Sequence, residues 1–600
     1  MPGTGAPVSG GQADALPAGA SRRLRGCLEQ LYPGADIDRL LRRLEGMAAA
    51  FQVERRMLGA RPRETAALFD ERDVLLITYG DQVRRDGSPP LRTLHDFLRR
   101  RFGDTLTGVH LLPFFPSTSD GGFAVADYEA VDPELGDWDD IRRFGRDFRL
   151  MVDAVFNHTS ASHPWFTGWC AGDPAYADFY VTADPGTDLS GVTRPRQHPL
   201  LTKFDHADGE RWVWTTFSAD QADLNFANPE VLLATTEVLL DYVANGAGII
   251  RLDAVAYLWK EVGTSCIHHT GTHTIIRLWR ALLDAVAPGT LIVTETNVPH
   301  LENISYFGDG HDEAHVVYQF PLAPLVLSAF HLADAGTLTD WAAGLSTPSE
   351  ETTFLNFLGS HDGIGVRPVE GILTHAEIQQ LVALATAHGG GVSYKANPDG
   401  TLSPYELNSV YFDALTEVDS RESMEVQVRR FLSAQSILLA LPGVPAIYVQ
   451  ALLGSRNWVE GVELTGHLRS INRQKFPLEE LERELDDPRT LRHQVSTRLA
   501  ERIRTRTGEP AFHPNAAARV LQAGSKVFAI QREAVDGSSA VVCLHSLSGR
   551  REPVVVGPDE GLSVAGEFRD LCAERGASTD AAGVLHVELE PYGVAWLKRL

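Results

Sequence analysis

The chain has 600 residues, of which 44% are hydrophobic and 22% charged. Those are ordinary globular proportions, so a disordered or fibrous chain is excluded and there is ample material for a large core. Its 54 Lys and Arg against 79 Asp and Glu leave a formal net charge of −25, which repels phosphate backbones and argues against a nucleic-acid partner.

Residues 1–20 read as a flexible tail rich in Gly, Ala and Pro, with no basic region leading into an apolar stretch and so no signal peptide. Residues 21–70 read as a helical extension: Leu24, Leu28 and Leu31, then Ile37, Leu40, Leu41 and Leu44, recur at helical spacing. Either a cap or an interaction module would fit it. Short apolar runs follow, each trailed by a Gly/Asp/Pro-rich loop and usually a helical stretch: Val74–Tyr79, Gly108–Leu112, Leu150–Phe156, Ala247–Ala254, Leu291–Glu295, His315–Phe320, Thr353–Leu358 and Val444–Val449. Near-continuous apolar strands alternating with helices predict an α/β fold, a (β/α)8 TIM barrel, in three parts (71–158, 224–365 and 431–507). Residues 159–223, too long for an ordinary loop, predict an excursion domain after the third strand, and 366–430 a second small insertion after the seventh. Beyond residue 508, short alternating runs at Val520–Gln522, Val527–Gln531, Ala540–His545, Pro553–Val556 and Leu585–Leu589 predict a C-terminal antiparallel β-domain.

Five scattered cysteines without a C-x-x-C pair fit a reducing compartment, and a cytoplasmic protein is expected. The longest apolar stretch, Phe431 to Leu453, is interrupted by Ser433, Gln435, Pro442 and Pro445, so it predicts core and no membrane partner.

A barrel carries its chemistry at the C-terminal ends of its strands. There the sequence places Asp153, Asn157 and His158 on the third strand, Arg251 and Asp253 on the fourth, Glu295 ending the fifth, and His361-Asp362 after the seventh. Arg251 and Asp253 share a face, which predicts a carboxylate kept ionised by a fixed cation. Glu295 has no cation in its own strand, so burial and neighbouring acids would raise its pKa, as a proton donor requires. Retaining glycoside chemistry uses such a pair of carboxyls.

Asp153–His158, Arg251–Asp253, Glu295 and His361-Asp362 resemble, in order and spacing, the four signature segments of the α-amylase family of retaining α-glucoside enzymes. The resemblance implies Asp253 as nucleophile, Glu295 as acid/base and Asp362 as transition-state stabiliser, with Arg251, His158 and His361 holding the donor sugar. Ile77–Asp81, His110–Phe115, Gly263–Cys266, Ser360–Gly365 and Leu441–Pro445 are similar to the sucrose phosphorylase branch. There Asp120 and Arg469 would close the donor subsite around one glucose, and Phe123 would stack on it. The helical extension, Thr296–His300 after Glu295, and Gln221–Asn225 before Phe226-Ala-Asn-Pro229 resemble the glucosylglycerate phosphorylase subgroup more closely.

That resemblance implies cleavage of 2-O-α-glucosylglycerate, or a close glucosyl disaccharide, by inorganic phosphate to α-glucose 1-phosphate. Sucrose phosphorolysis, another acceptor variant and retaining hydrolysis are the alternatives. The acceptor side would comprise Arg194 and Arg196 of an Arg-Pro-Arg loop, with Lys203 nearby, and Tyr405-Glu406 of a mobile loop, where Glu406 replaces the glutamine of sucrose phosphorylase. Such basic residues would have to hold phosphate against the chain's negative field. His268, His269 and His273 lack a completing carboxylate, and no acidic calcium loop is apparent, so neither metal nor organic cofactor is expected. The expected partners are therefore the disaccharide and phosphate, and a homodimer is compatible with the sequence.

Overall fold

The computed structural model describes residues 16–58, 67–397, 400–573 and 575–600. Eight parallel strands close into a barrel: β1 Leu75–Thr78, β2 Gly108–Leu111, β3 Arg149–Ala154, β4 Ala247–Leu252, β5 Leu291–Thr294, β6 Val316–Tyr318, β7 Thr353–Asn356 and β8 Val444–Tyr448. Each pairs with its sequence neighbours, and β8 closes on β1 through Ala446 opposite Leu75. Seven of the eight predicted runs contain one of these strands whole, and the run Leu150–Phe156 misses only Arg149 of β3, because residues packed on both faces leave little room for polar side chains.

After β3, the chain runs out through two antiparallel ribbons, His158–Ser160 with Gln221–Asp223 and Leu201–Phe204 with Arg211–Trp214. After β7 it builds a three-stranded sheet in the order Ile364–Gly365, Leu402–Asn408, Gly391–Ala396. The helix before β8 spans Met424–Ala440 and so crosses residue 430, where the sequence reading ended the insertion. The C-terminal region is a six-stranded antiparallel sheet with a separate two-stranded ribbon. Three of its strands, Glu567–Asp570, Gly576–Ser578 and Val594–Arg599, were not among the predicted runs. The last of them lies inside the sheet against Ala540–Ser546, where pairing on both sides outweighs its charged end.

The N-terminal extension forms two helices, α1 Ala18–Leu31 and α2 Ile37–Met57. α1 begins within the segment read as tail; residues 1–15 of that segment lie outside the described residues. Asp36 caps α2 by accepting from the Arg39 amide at 2.9 Å. Leu24, Leu28 and Leu44 are fully buried in the main core, and each contributes about 1.5–3 kcal/mol of transfer free energy before ordering costs. The hairpin packs on two outer helices of the barrel, α3 Pro229–Ala244 and α4 Thr270–Val286. Tyr32 donates to the Phe226 carbonyl at 2.9 Å, and Arg43 grips both Glu230 oxygens at 2.6 and 2.5 Å. The extension is a docked layer of the barrel wall.

Candidate active site

Strand ends and loops converge on a cavity at the C-terminal rim, where a barrel carries its ligand sites. Its lining includes Asp120, Phe123, His158, Asp253, Glu295, His361, Asp362, Arg469, Arg196, Tyr405 and Glu406. Residues more than a hundred positions apart in the chain thus meet at one place.

Arg251 is the hub of the floor. From β4 its Nη1 donates to Asp253 at 2.7 Å and also to Asp153, and its Nε reaches the Tyr318 hydroxyl at 3.1 Å. Asp153 is in turn held by His110 Nε2 at 2.8 Å. Arg251 divides its charge between two buried carboxylates, so Asp253 receives only a share of the cation that the sequence pairs with it. Burial pushes the Asp253 carboxyl up to about 8; Arg251 opposes that rise, while Glu295 and Asp153 add to it. Glu295 is raised by burial too, against Arg251, with Asp362 and Glu406 adding to the rise. Both carboxyls are pushed toward the neutral form, with Glu295 adding to the rise of Asp253, so a proton is retained on this pair of acids.

The backbone links them. Ala254 follows Asp253 with φ +49°, a left-handed conformation that alanine rarely adopts, and its amide donates to Glu295 Oε2 at 3.1 Å.

Asp362 behaves oppositely. Despite burial, Arg469 at 2.9 Å, His361 at 3.4 Å and Arg473 at 3.9 Å hold it far below the ordinary carboxylate range. His361 stacks on Phe123, with centroids 5.0 Å apart and planes within 6°, and burial lowers its pKa to about 3. Its carbonyl accepts from Arg473 Nε at 2.9 Å. Asp120 sits at φ +53° before Gly121 at +62° and Gly122 at +106°. Gly121 holds a left-handed φ that favours glycine, and its bare Cα leaves room for Arg473 Nη1. This turn brings Asp120 to 3.5 Å from Arg469.

On the other flank, the Arg196 guanidinium lies 5.8 Å from the Phe217 ring centre and 5.5 Å from that of Tyr405. Arg194 does not join it. It lines an adjoining cavity with Arg367, Lys395 and Asn397. Lys203 pairs with Glu210 at 2.7 Å and is absent from the pocket lining. Tyr405 and Glu406 lie on the strand Leu402–Asn408, where the sequence reading placed a mobile loop. Glu406 is buried and accepts two bonds from Arg469 Nη2 at 2.9 and 2.8 Å.

The sequence reading assigned no role to Phe217, Tyr257 or Arg473, which also reach this region. Phe217 sits in an irregular loop and Tyr257 ends the short 3-10 helix Val255–Tyr257, where no periodicity marks a lining residue. Arg473 follows Arg469 by four residues and caps the C-terminal end of the 3-10 helix Leu468–Asn472. The three histidines discounted as a metal site have separate partners: His268 bonds Tyr306 and Glu302, His269 pairs with Glu261, and His273 bonds Glu313. Among the described residues, no group of three or more His, Cys, Asp or Glu is placed to hold a metal ion.

Residues 104–383 match the model of the α-amylase catalytic domain. The chain is 53% identical to the glucosylglycerate phosphorylase of Allomeiothermus silvanus, covering 86% of this chain and 90% of that protein. It is 45% identical to the glucosylglycerate phosphorylase of Escherichia coli, covering 95% and 99% respectively. The crystal structure of sucrose 6F-phosphate phosphorylase from Thermoanaerobacter thermosaccharolyticum superposes with a TM-score of 0.69 at 25% identity, over 81% of this chain and 96% of that one. The chain belongs to the α-amylase family, within the sucrose phosphorylase branch that includes the glucosylglycerate phosphorylases.

Proposed function

We propose that the protein is a retaining α-glucosyl phosphorylase that cleaves 2-O-α-glucosylglycerate with inorganic phosphate, giving glycerate and α-glucose 1-phosphate. The observation that carries the reading is the pocket itself. Three acids at positions 253, 295 and 362 line it, a cation at position 196 flanks it, and the Asp120–Arg469 contact bounds it. The high identity to glucosylglycerate phosphorylases selects the acceptor.

In this reading the carboxylate of Asp253 attacks the anomeric carbon while Glu295, holding the pair's shared proton, transfers it to the departing glycerate oxygen. Asp362, kept ionised by its cations, stabilises the positive charge that develops on the sugar ring. Glycerate then leaves and phosphate occupies the same flank. One of its oxygens attacks the glucosyl–Asp253 ester from the face the glycerate left, Glu295 takes up the phosphate proton, and Asp253 is released. Retention follows from two inversions. Glycerate and phosphate are both anions, so one guanidinium at Arg196 serves each in turn. Opposite unit charges about 4 Å apart gain about 4 kcal/mol at an effective dielectric of 20.

The test is to offer 2-O-α-glucosylglycerate, sucrose and 2-O-α-glucosylglycerol with phosphate and to quantify glucose 1-phosphate against free glucose. Glucose 1-phosphate chiefly from glucosylglycerate is expected. Free glucose alone from every donor makes the protein a hydrolase and ends the proposal.

A further inference from the structure

One buried cation near the pocket has no part in the chemistry above. Lys260 lies in the turn after β4 with its side chain 3% exposed. Its Nζ donates to Asn157 Oδ1 at 2.7 Å and pairs with Asp223 at 2.9 Å, and Asp223 is itself wholly buried. Asp223 is secured by Thr216, whose amide donates at 3.1 Å and hydroxyl at 2.5 Å. The contacts tie together three segments: the end of β3, the strand Gln221–Asp223 of the excursion, and the turn after β4.

An ammonium can only donate, so the Asn157 carboxamide must turn its oxygen to Lys260. Its NH2 group then faces His158, and Asn157 Nδ2 lies 3.2 Å from His158 Nδ1. Nδ1 is therefore the acceptor, and the ring proton resides on Nε2, which donates to the Phe123 carbonyl at 2.9 Å. Gln221 Nε2 lies 3.0 Å from the same nitrogen, and its hydrogens are taken by Asp120 Oδ2 and the Phe123 carbonyl, both at 3.4 Å.

We infer that Lys260 is a positioning residue of the donor subsite: by orienting the Asn157 amide, it fixes His158 with its proton on Nε2 and its ring edge in the pocket. The inference rests on the proposed function, with His158, which lines the pocket, in the sugar-holding role that the family resemblance implies. The charged groups around His158 are Asp223 on the excursion strand, Asp120 on the loop after β2, and Lys260 itself. Burial and Lys260 favour the neutral ring; Asp223 and Asp120 oppose them. Removing the ammonium leaves Asp223 unopposed, so His158 gains a proton at higher pH.

The pH profile of kcat/KM for glucose 1-phosphate release is compared in wild type, Lys260→Met, Lys260→Met/Asp223→Asn and Asn157→Asp. Lys260→Met is expected to lower kcat/KM by about tenfold or more and to move the acid limb upward by about one pH unit. The double variant, with no unopposed carboxylate, returns the limb toward wild type while kcat/KM stays low. Asn157→Asp keeps a partner for Lys260 but loses the donor to Nδ1, and it shifts the limb upward even where Lys260→Met does not fold. An unmoved acid limb in Asn157→Asp, or one equally displaced in the double variant, overturns the inference. Ring-15N histidine spectra, with His158 assigned by its loss in His158→Gln, read the tautomer without turnover. A bare Nδ1 in wild type and a mixed or doubly protonated ring in the variant are expected. Identical His158 signals in wild type and variant refute the role of Lys260 even if no donor is turned over.

Discussion

The two flanks of the pocket are built differently. On the glucose side, Arg251, Asp153, His110, Asp362, Arg469 and Arg473 share bonds so that each has at least one charged or ring partner, and several of them project from barrel strands. On the acceptor side, Arg196 comes from the excursion after β3 and Tyr405 from the insertion after β7, and they meet through ring contacts. A frame that must recognise one constant sugar is wired into the sheet. A flank that must receive two different anions in succession is carried by added segments, where one contact can change without disturbing the barrel.

That contrast can be broken at several points. Asp253→Asn removes the proposed nucleophile, and glucose 1-phosphate release should fall by about 10⁴-fold or more. A loss under tenfold would mean that the acid does not form the ester. Glu295→Gln should cost about 10²–10⁴-fold with glucosylglycerate but much less with a glucosyl donor whose leaving group needs no proton. Equal losses on both donors contradict the acid role. Arg196→Ala should raise the KM for phosphate about tenfold to a hundredfold, the worth of a charge-assisted bond, while Arg194→Ala leaves it nearly unchanged. The reverse ranking would move the anion site to the adjoining cavity. The shared proton predicts a basic limb of kcat/KM near pH 8: below it one of the two raised carboxyls stays protonated, and above it the proton is lost and turnover with it. A profile flat through pH 9 removes that assignment. The smallest effect lies far from the pocket. Tyr32→Phe leaves the Phe226 carbonyl without its partner, so denaturant unfolding should show a loss of about 1–3 kcal/mol with kcat/KM unchanged.

The barrel was legible because its strands are buried on both faces, leaving apolar runs that each overlap one observed strand. The three acids were legible because strand-end positions have few structural reasons to be charged. Two things were not. The protonation of Asp253 depends on Asp153, Glu295 and Arg251 meeting in space, and a view confined to β4 saw one cation and one anion. The division between Arg194 and Arg196 depends on how an irregular loop turns at Pro195, which spacing does not encode. The end of the C-terminal sheet went unread for a related reason: Val594–Arg599 is made a strand by the neighbours on either side of it.

Ala254 leaves a mark on which sequences this pocket can tolerate. Its N–H, one peptide bond from Asp253, is spent on Glu295, and the chain turns away from the strand there with φ at +49°. A β-branched residue adopts that φ only under strain, so the turn would relax and loosen its hold on the glutamate. Glycine would adopt the turn without strain but would let it wander. A library drawn at this position should therefore yield working proteins with alanine, weaker ones with glycine, and almost none with valine, isoleucine or threonine.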